Sequence, residues 1–157
     1  MKAASVSNIK KELKHRSAEE LLEICLRLSK FKKENKELLT YLLYEVGDEQ
    51  SYIESIKIEI DQQFEEINKS SFYFIKKSVR KILRNIKKHS RYSTKKETEI
   101  ELLIYFCGIL KNMTPSIKRD QTLFNIYLRQ IEVIKKLIAT LHEDLQYDFN
   151  MELEELS

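Results

Sequence analysis

Apolar residues recur at steps of three and four along almost the whole chain, which places them on one face of successive helices. The 157 residues include only two glycines and one proline, and turns and sheets use both residues more heavily than helices do. An apolar content of 42% beside a charged content of 34% is typical of amphipathic helices whose outer faces meet water. The sequence therefore predicts an all-α fold.

About six or seven helices are expected from this spacing. Two serine or threonine residues, Ser17 and Thr94, are followed three positions later by Glu20 and Glu97, which is the capping-box pattern of a helix start. The last helix would be the longest, at about 40 Å. Short connections favour an antiparallel bundle or a short stack of three helical hairpins. The predicted ranges are 8–15, 17–31, 33–46, 48–68, 72–89, 94–112 and 119–145.

A chain of this length is typical of one domain. We expect residues 1–147 to form a single all-helical domain and residues 148–157 to form an acidic C-terminal tail. From Glu143 onward the chain has six acidic residues and no basic one. Three interpretations of this end stay open, namely a solvating tail, a short docked helix, or a segment that competes for the basic helix described below.

The two cysteines, Cys25 and Cys107, lie on apolar helix faces, and we expect both to be buried free thiols. The N-terminal residues lack the apolar core of a secretory signal. The longest apolar run, 102–107, is too short to cross a bilayer. These features together predict a cytoplasmic protein.

Charge is distributed in segments along the chain. Residues 67–96 contain eleven Lys or Arg and no Asp or Glu, whereas the net charge of the whole chain is only +3. On a helix over 72–89, the cations would lie opposite an apolar stripe. We predict a polyanion-binding surface from this segment, with these candidate residues: Lys76, Lys77, Arg80, Lys81, Arg84, Lys87, Lys88, Arg91, Lys95 and Lys96.

Three interpretations of the basic helix are compatible with its sequence. It can be an ordinary solvated face, with its edges neutralised by the acidic helix that precedes it. It can be a site for a phosphate backbone, where Lys-rich composition favours weak sequence specificity and Tyr92 would stack on a base. It can also face an acidic protein or an anionic membrane surface.

Residues 84–89 read Arg-Asn-Ile-Lys-Lys-His, and this Arg-x4-His spacing resembles the motif of HEPN-type ribonuclease domains, which are also all-helical. The resemblance covers six residues. It implies that His89 would act in acid–base cleavage of RNA and that Arg84 would steady the phosphate. A regular helix separates the two side chains by about 140°, so joint action requires a break near Lys88.

No glycine-rich phosphate loop and no zinc-binding helix pattern is present in the sequence, so we expect no cofactor, no metal and no small-molecule substrate. We predict a non-enzymatic helical module that binds a protein partner. Low-specificity binding of RNA or DNA through the basic helix is the alternative, and a HEPN-like ribonuclease is a third. A protein partner or a second copy would meet the C-terminal helix, where Val133 and Leu137 widen the apolar face.

Overall fold

The computed structural model describes residues 1–156, and within this range the chain is all-helical with no strand. The predicted fold class is therefore confirmed, whereas the predicted number of six or seven helices is too low for the eight α-helices of this range. A π-helical turn, Tyr41–Glu45, and a 3-10 turn, Ile117–Arg119, supplement them. The α-helices are α1 Val6–Leu13, α2 Ala18–Phe31, α3 Lys33–Thr40, α4 Glu49–Glu65, α5 Phe72–Ser93, α6 Lys96–Lys111, α7 Gln121–Ile138 and α8 Glu143–Glu155.

The chain divides into two compact units, which we call unit 1 (Met1–Glu45) and unit 2 (Val46–Ser157). Unit 1 contains α1, α2, α3 and the π-helical turn. Half of its predicted capping box is formed, since the Ser17 hydroxyl accepts the Glu20 backbone N–H at 3.2 Å, whereas the Glu20 carboxylate accepts the Ser17 hydroxyl at 3.3 Å instead of the Ser17 backbone N–H. The structure describes unit 2 as far as Leu156.

Unit 1 buries almost none of its apolar residues. Only Ser29 and Tyr41 are buried among its 45 residues, and not one of its aliphatic side chains is. Cys25 is exposed, so the prediction that both cysteines are buried is wrong for this one. The cause is that α2 is apolar over a wide arc of its surface, and α3 covers only part of it.

Unit 2 is built around α6, which packs against α4, α5, α7 and α8. This helix is apolar on most of its surface, and its residues Leu102, Leu103, Phe106 and Leu110 are fully buried. The prediction that it is the most buried helix agrees with this packing. Side chains of α4, α5 and α7 complete the core of unit 2, including Ile53, Ile56, Ile60, Ile75, Val79, Ile82, Ile86, Leu123 and Ile134.

The predicted long C-terminal helix is not continuous. It ends at Ile138, and α8 starts at Glu143 and packs on α7 and α6. Polar side chains satisfy the interrupted backbone, since the Thr140 hydroxyl donates to the Leu137 carbonyl at 2.7 Å and Gln146 donates to the Leu141 carbonyl at 2.8 Å. Of the three interpretations of residues 143–157, the docked helix describes this segment as far as Leu156.

The basic helix is longer than predicted, because α5 continues through the polar residues 90–93 to Ser93. The buried Ser90 hydroxyl is satisfied within the helix, since it donates to the Ile86 carbonyl at 2.8 Å. Thr94 is the C-cap of α5, with a φ of 62°. The predicted capping box of Thr94 and Glu97 is therefore wrong, and α6 begins without a side-chain N-cap hydrogen bond.

No helix within residues 1–156 is both long enough and apolar enough to cross a membrane.

Candidate nucleic-acid interface

Helix α5 has one buried face and one exposed face. Ile75, Val79, Ile82 and Ile86 are at most 2% exposed, as the sequence stripe predicts. At 100° per residue the cationic side chains fall on the opposite side of the helix. The core of unit 2 therefore fixes which way the cations point, because rotating α5 would expose four aliphatic side chains.

The exposed cations of α5 form one continuous surface, which we call the basic face. They occupy an arc of about 120° and extend over about 21 Å of helix. None of them forms an ion pair with a carboxylate of the described part of unit 2. Because α5 itself has no acidic residue, their mutual repulsion is also not relieved along the helix. The basic face consists of Lys77, Arg80, Lys81, Arg84, Lys87 and Arg91.

The other four candidate residues differ from these six. Lys76 is half-buried and its ammonium lies 3.2 Å from the Asp120 carboxylate. Lys95 follows α5 and lies 3.8 Å from the Glu49 carboxylate. Lys88 is half-buried and interacts within the chain. Lys96 is exposed at the start of α6, so it can extend the basic face only beyond the end of α5.

The acidic residues of α4 contact residues outside the basic face. Glu49 accepts hydrogen bonds from the hydroxyls of Ser93 and Thr98, the latter at 2.7 Å. Glu59 lies 3.4 Å from the His89 imidazole. These contacts place negative charge at the C-terminal end and one edge of α5. They leave the solvent-facing arc unneutralised by α4.

A second charged cluster, on α4 and α6, was not expected from the sequence. The Lys57 ammonium lies 2.8 Å from the Glu101 carboxylate and 3.4 Å from that of Glu54. The Tyr105 hydroxyl donates to both oxygens of Asp61, at 2.8 and 2.9 Å. Burial, with the Asp61 hydrogen bond second, raises the pKa of Tyr105. The cluster joins two helices, and it is net negative because its three carboxylates outnumber its one ammonium.

The residues that resemble the HEPN motif do not come together. Helix α5 is continuous from Phe72 to Ser93, so Arg84 and His89 keep the angular separation of about 140°. The His89 imidazole is only 15% exposed, and it lies beside Glu59 and the Tyr52 hydroxyl. Arg84 is exposed on the basic face. In this geometry Arg84 and His89 do not face a common phosphate.

Tyr92 is also less available than the sequence suggested. Its ring packs edge-on against the His89 ring, with 5.8 Å between centroids, and it is half-buried. Base stacking on Tyr92 would therefore require this contact to open. Backbone contacts along the basic face do not depend on it.

The described residues 1–156 contain no group of three or more His, Cys, Asp or Glu side chains arranged to hold a metal ion. The thiol of Cys107 is fully buried, and burial raises its pKa to about 12. Such a thiol is almost entirely protonated at neutral pH and is a poor nucleophile.

No protein-family model matches the chain, and no curated protein or solved structure is significantly similar to it.

Proposed function

We propose that this protein is a non-enzymatic helical module that binds the phosphate backbone of a nucleic acid through the basic face of α5. The observation that supports it is the row of six exposed cations that no carboxylate of residues 46–156 neutralises. Binding a polyanion would relieve their mutual repulsion and release condensed counterions. A cytoplasmic location, where RNA is accessible, belongs to the same proposal.

The spacing of the charges supports a backbone ligand. The first and last of the six cations are about 21 Å apart along the helix axis, so their mean spacing is about 4 Å, which is comparable to the phosphate spacing of about 3.4 Å along one strand of a duplex. The six form three pairs four residues apart, Lys77–Lys81, Arg80–Arg84 and Lys87–Arg91, so the row follows the helix axis. The ligand therefore needs repeated phosphates rather than a single one.

Low sequence specificity follows from the chemistry of the basic face. It exposes no Asn or Gln side chain, so its direct base readout is limited to guanine contacts by the same cations that bind phosphates. Asn85 is on α5 but is half-buried, on the side of the helix away from the centre of the basic face. We expect phosphate contacts to dominate and the affinity to differ little between sequences of equal length.

The test is a titration of fluorescently labelled RNA and DNA oligonucleotides with the protein at 50 mM salt. Non-specific complexes have dissociation constants of about 10⁻⁶ to 10⁻⁴ M at physiological salt, so we expect a dissociation constant of about 10⁻⁶ M or lower at 50 mM. The double variant Arg80→Glu/Arg84→Glu should bind at least about tenfold more weakly. Absence of binding by the wild-type protein at 50 mM salt would contradict the proposal.

A matched control distinguishes the effect of losing the basic face from the effect of changing the net charge of the protein. The variant Lys111→Glu/Lys136→Glu carries the same change in charge on exposed residues of α6 and α7. It should bind nearly as well as the wild-type protein. The Arg80→Glu/Arg84→Glu variant should also unfold at no lower temperature, because it replaces like-charge neighbours with opposite charges. Equal losses in the two variants would exclude a localised interface.

A second candidate function is the binding of a protein partner, which the sequence ranked first. The exposed apolar side chains of unit 1 favour it, since Leu22, Leu28 and Phe31 of α2 are 60%, 55% and 77% exposed. The C-terminal surface predicted for such a partner has apolar side chains that are less exposed. Val133 and Leu137 are half-buried, and α7 packs against α6 and α8. Binding there stays a prediction.

A further inference from the structure

We propose that unit 1 is a dimerisation element, in which the α2–α3 hairpin packs against the same hairpin of a second copy with the two α2 helices antiparallel. The inference concerns a surface separate from the basic face and does not depend on nucleic-acid binding. Three features of unit 1 support it, namely an open apolar groove, the area of the exposed apolar side chains, and the order of charges along α2.

The hairpin has an open apolar groove. The groove measures about 190 Å³ and is lined mainly by Cys25, Leu28, Leu38, Leu39 and Leu42. The helices are joined by Lys32 alone, in an extended conformation, and Asn35 donates to the Leu28 carbonyl at 2.8 Å to fix the end of α2. The groove is thus formed by a defined hairpin that lacks side chains to fill it.

The exposed apolar area is sufficient for a stable dimer. Nine apolar side chains of α2, α3 and the π-helical turn are between 36% and 77% exposed, which is roughly 800 Å² in total if each fully exposed side chain offers about 160 Å². A standard interface buries about 800 Å² per partner, of which about 60% is apolar. Little more than half of the exposed apolar area therefore has to be covered. These side chains are Leu22, Ile24, Leu26, Leu28, Phe31, Leu38, Leu42, Leu43 and Tyr44.

The charges of α2 identify a second copy as the partner and set its direction. The acidic residues Glu19, Glu20 and Glu23 lie in the N-terminal half, and Arg27 and Lys30 lie in the C-terminal half. At 100° per residue, Glu19 and Lys30 fall on one edge of the apolar arc, and Glu20 and Arg27 fall on the other.

In an antiparallel pair of identical helices, each edge faces the same edge of the partner. Because α3 lies beside α2 in the hairpin, one of the two edges meets the second copy, and this edge brings either Glu19 near Lys30 or Glu20 near Arg27 of that copy. A parallel pair would instead bring like charges to the same level. Opposite charges therefore meet only in the antiparallel dimer, whose two-fold axis passes near Ile24. Two hairpins joined in this way form a four-helix bundle.

Sedimentation of the full chain tests the proposal directly. We expect a dimer at micromolar concentration, and a short bis-maleimide should link two chains through Cys25. The variant Cys25→Ser should abolish the link but not the dimer, because Cys107 is buried and unreactive. A chain that stays monomeric at micromolar concentration would overturn the proposal.

Charge-swap variants test the direction of the helices. Glu19→Lys/Glu20→Lys leaves only positive charge on both edges of the apolar arc of α2 and should weaken the dimer at least about tenfold. Adding Arg27→Glu/Lys30→Glu restores opposite charges and should restore the dimer. The control is Glu143→Lys/Asp144→Lys, since both acids also lie in the first turn of a helix but in unit 2. Equal weakening by the control, or no rescue by the fourfold variant, contradicts the antiparallel arrangement.

Discussion

Thr94 ends helix α5 in the left-handed region, at φ 62° and ψ −2°, where β-branched residues are rarely found. Its backbone N–H still donates to the Ser90 carbonyl at 3.0 Å, so the turn closes the helix at the expense of local strain. Sequence reasoning placed Thr94 at the start of the next helix, because its spacing to Glu97 matches a capping box. Because β-branched residues rarely adopt a positive φ, nothing in the sequence indicated that Thr94 is the C-cap of α5.

Replacing Thr94 by glycine should stabilise the protein. Glycine adopts this conformation without the steric cost of about 1–2 kcal/mol, although its greater freedom in the unfolded chain offsets part of the gain. We expect an increase of about 0.5–1 kcal/mol in the free energy of unfolding, measured by urea denaturation. Thr94→Ala is the control, because alanine has no such freedom. A glycine variant no more stable than the alanine variant would contradict the assignment of strain.

At the scale of elements, Asp120 connects α5 to α7. Its carboxylate accepts the Leu123 backbone N–H at 2.9 Å as the N-cap of α7, and it pairs with Lys76 of α5 at 3.2 Å. The hydrogen bond from Leu123, with smaller effects of Lys76 and of the Thr122 N–H, lowers the pKa of Asp120 although burial opposes this. A carboxyl with a lowered pKa stabilises the folded state only while it is ionised.

We therefore expect Asp120→Asn to destabilise the protein at pH 7, with the difference from wild type shrinking as the pH falls below about 4. The unfolded carboxyl titrates near its ordinary pKa of 3.8, and the stabilisation is lost as the pH falls through the lower pKa of the folded state. Urea midpoints at pH 7 and pH 3 measure this. The substitution should also matter less in a Lys76→Gln background. A difference that is constant with pH would exclude an electrostatic role.

Helix positions on buried faces were predictable, and helix ends were less so. The stripe of Ile75, Val79, Ile82 and Ile86 identified the inner face of α5 because its period matches a helix. The break between α7 and α8 was missed because the apolar spacing continues through it. Only tertiary contacts distinguish a continuous helix from a broken one here. Helix α8 folds back onto α7 and α6, and its residue Leu153 is buried.

At the scale of the whole molecule, the sequence identified a cationic segment but not its accessible part. Residues 67–96 have a net charge of +11. In the folded protein, Lys76 and Lys95 form ion pairs with carboxylates. The fold also shows that six cations face water together. The absence of a core in unit 1 was not predicted, because periodicity reveals an apolar face but not whether another element covers it. A single domain over residues 1–147 stays a prediction.

Whether the basic face binds nucleic acid is decided by the salt dependence of its binding to a single-stranded oligonucleotide. If the six cations of the basic face contact phosphates, the slope of log K against log salt concentration should be about −4, and the Arg80→Glu/Arg84→Glu variant should reduce it by at least about one. The affinity should then fall by about 10²-fold or more between 50 and 200 mM salt. A slope near zero, or one that the variant leaves unchanged, would contradict the claim that the basic face binds nucleic acid.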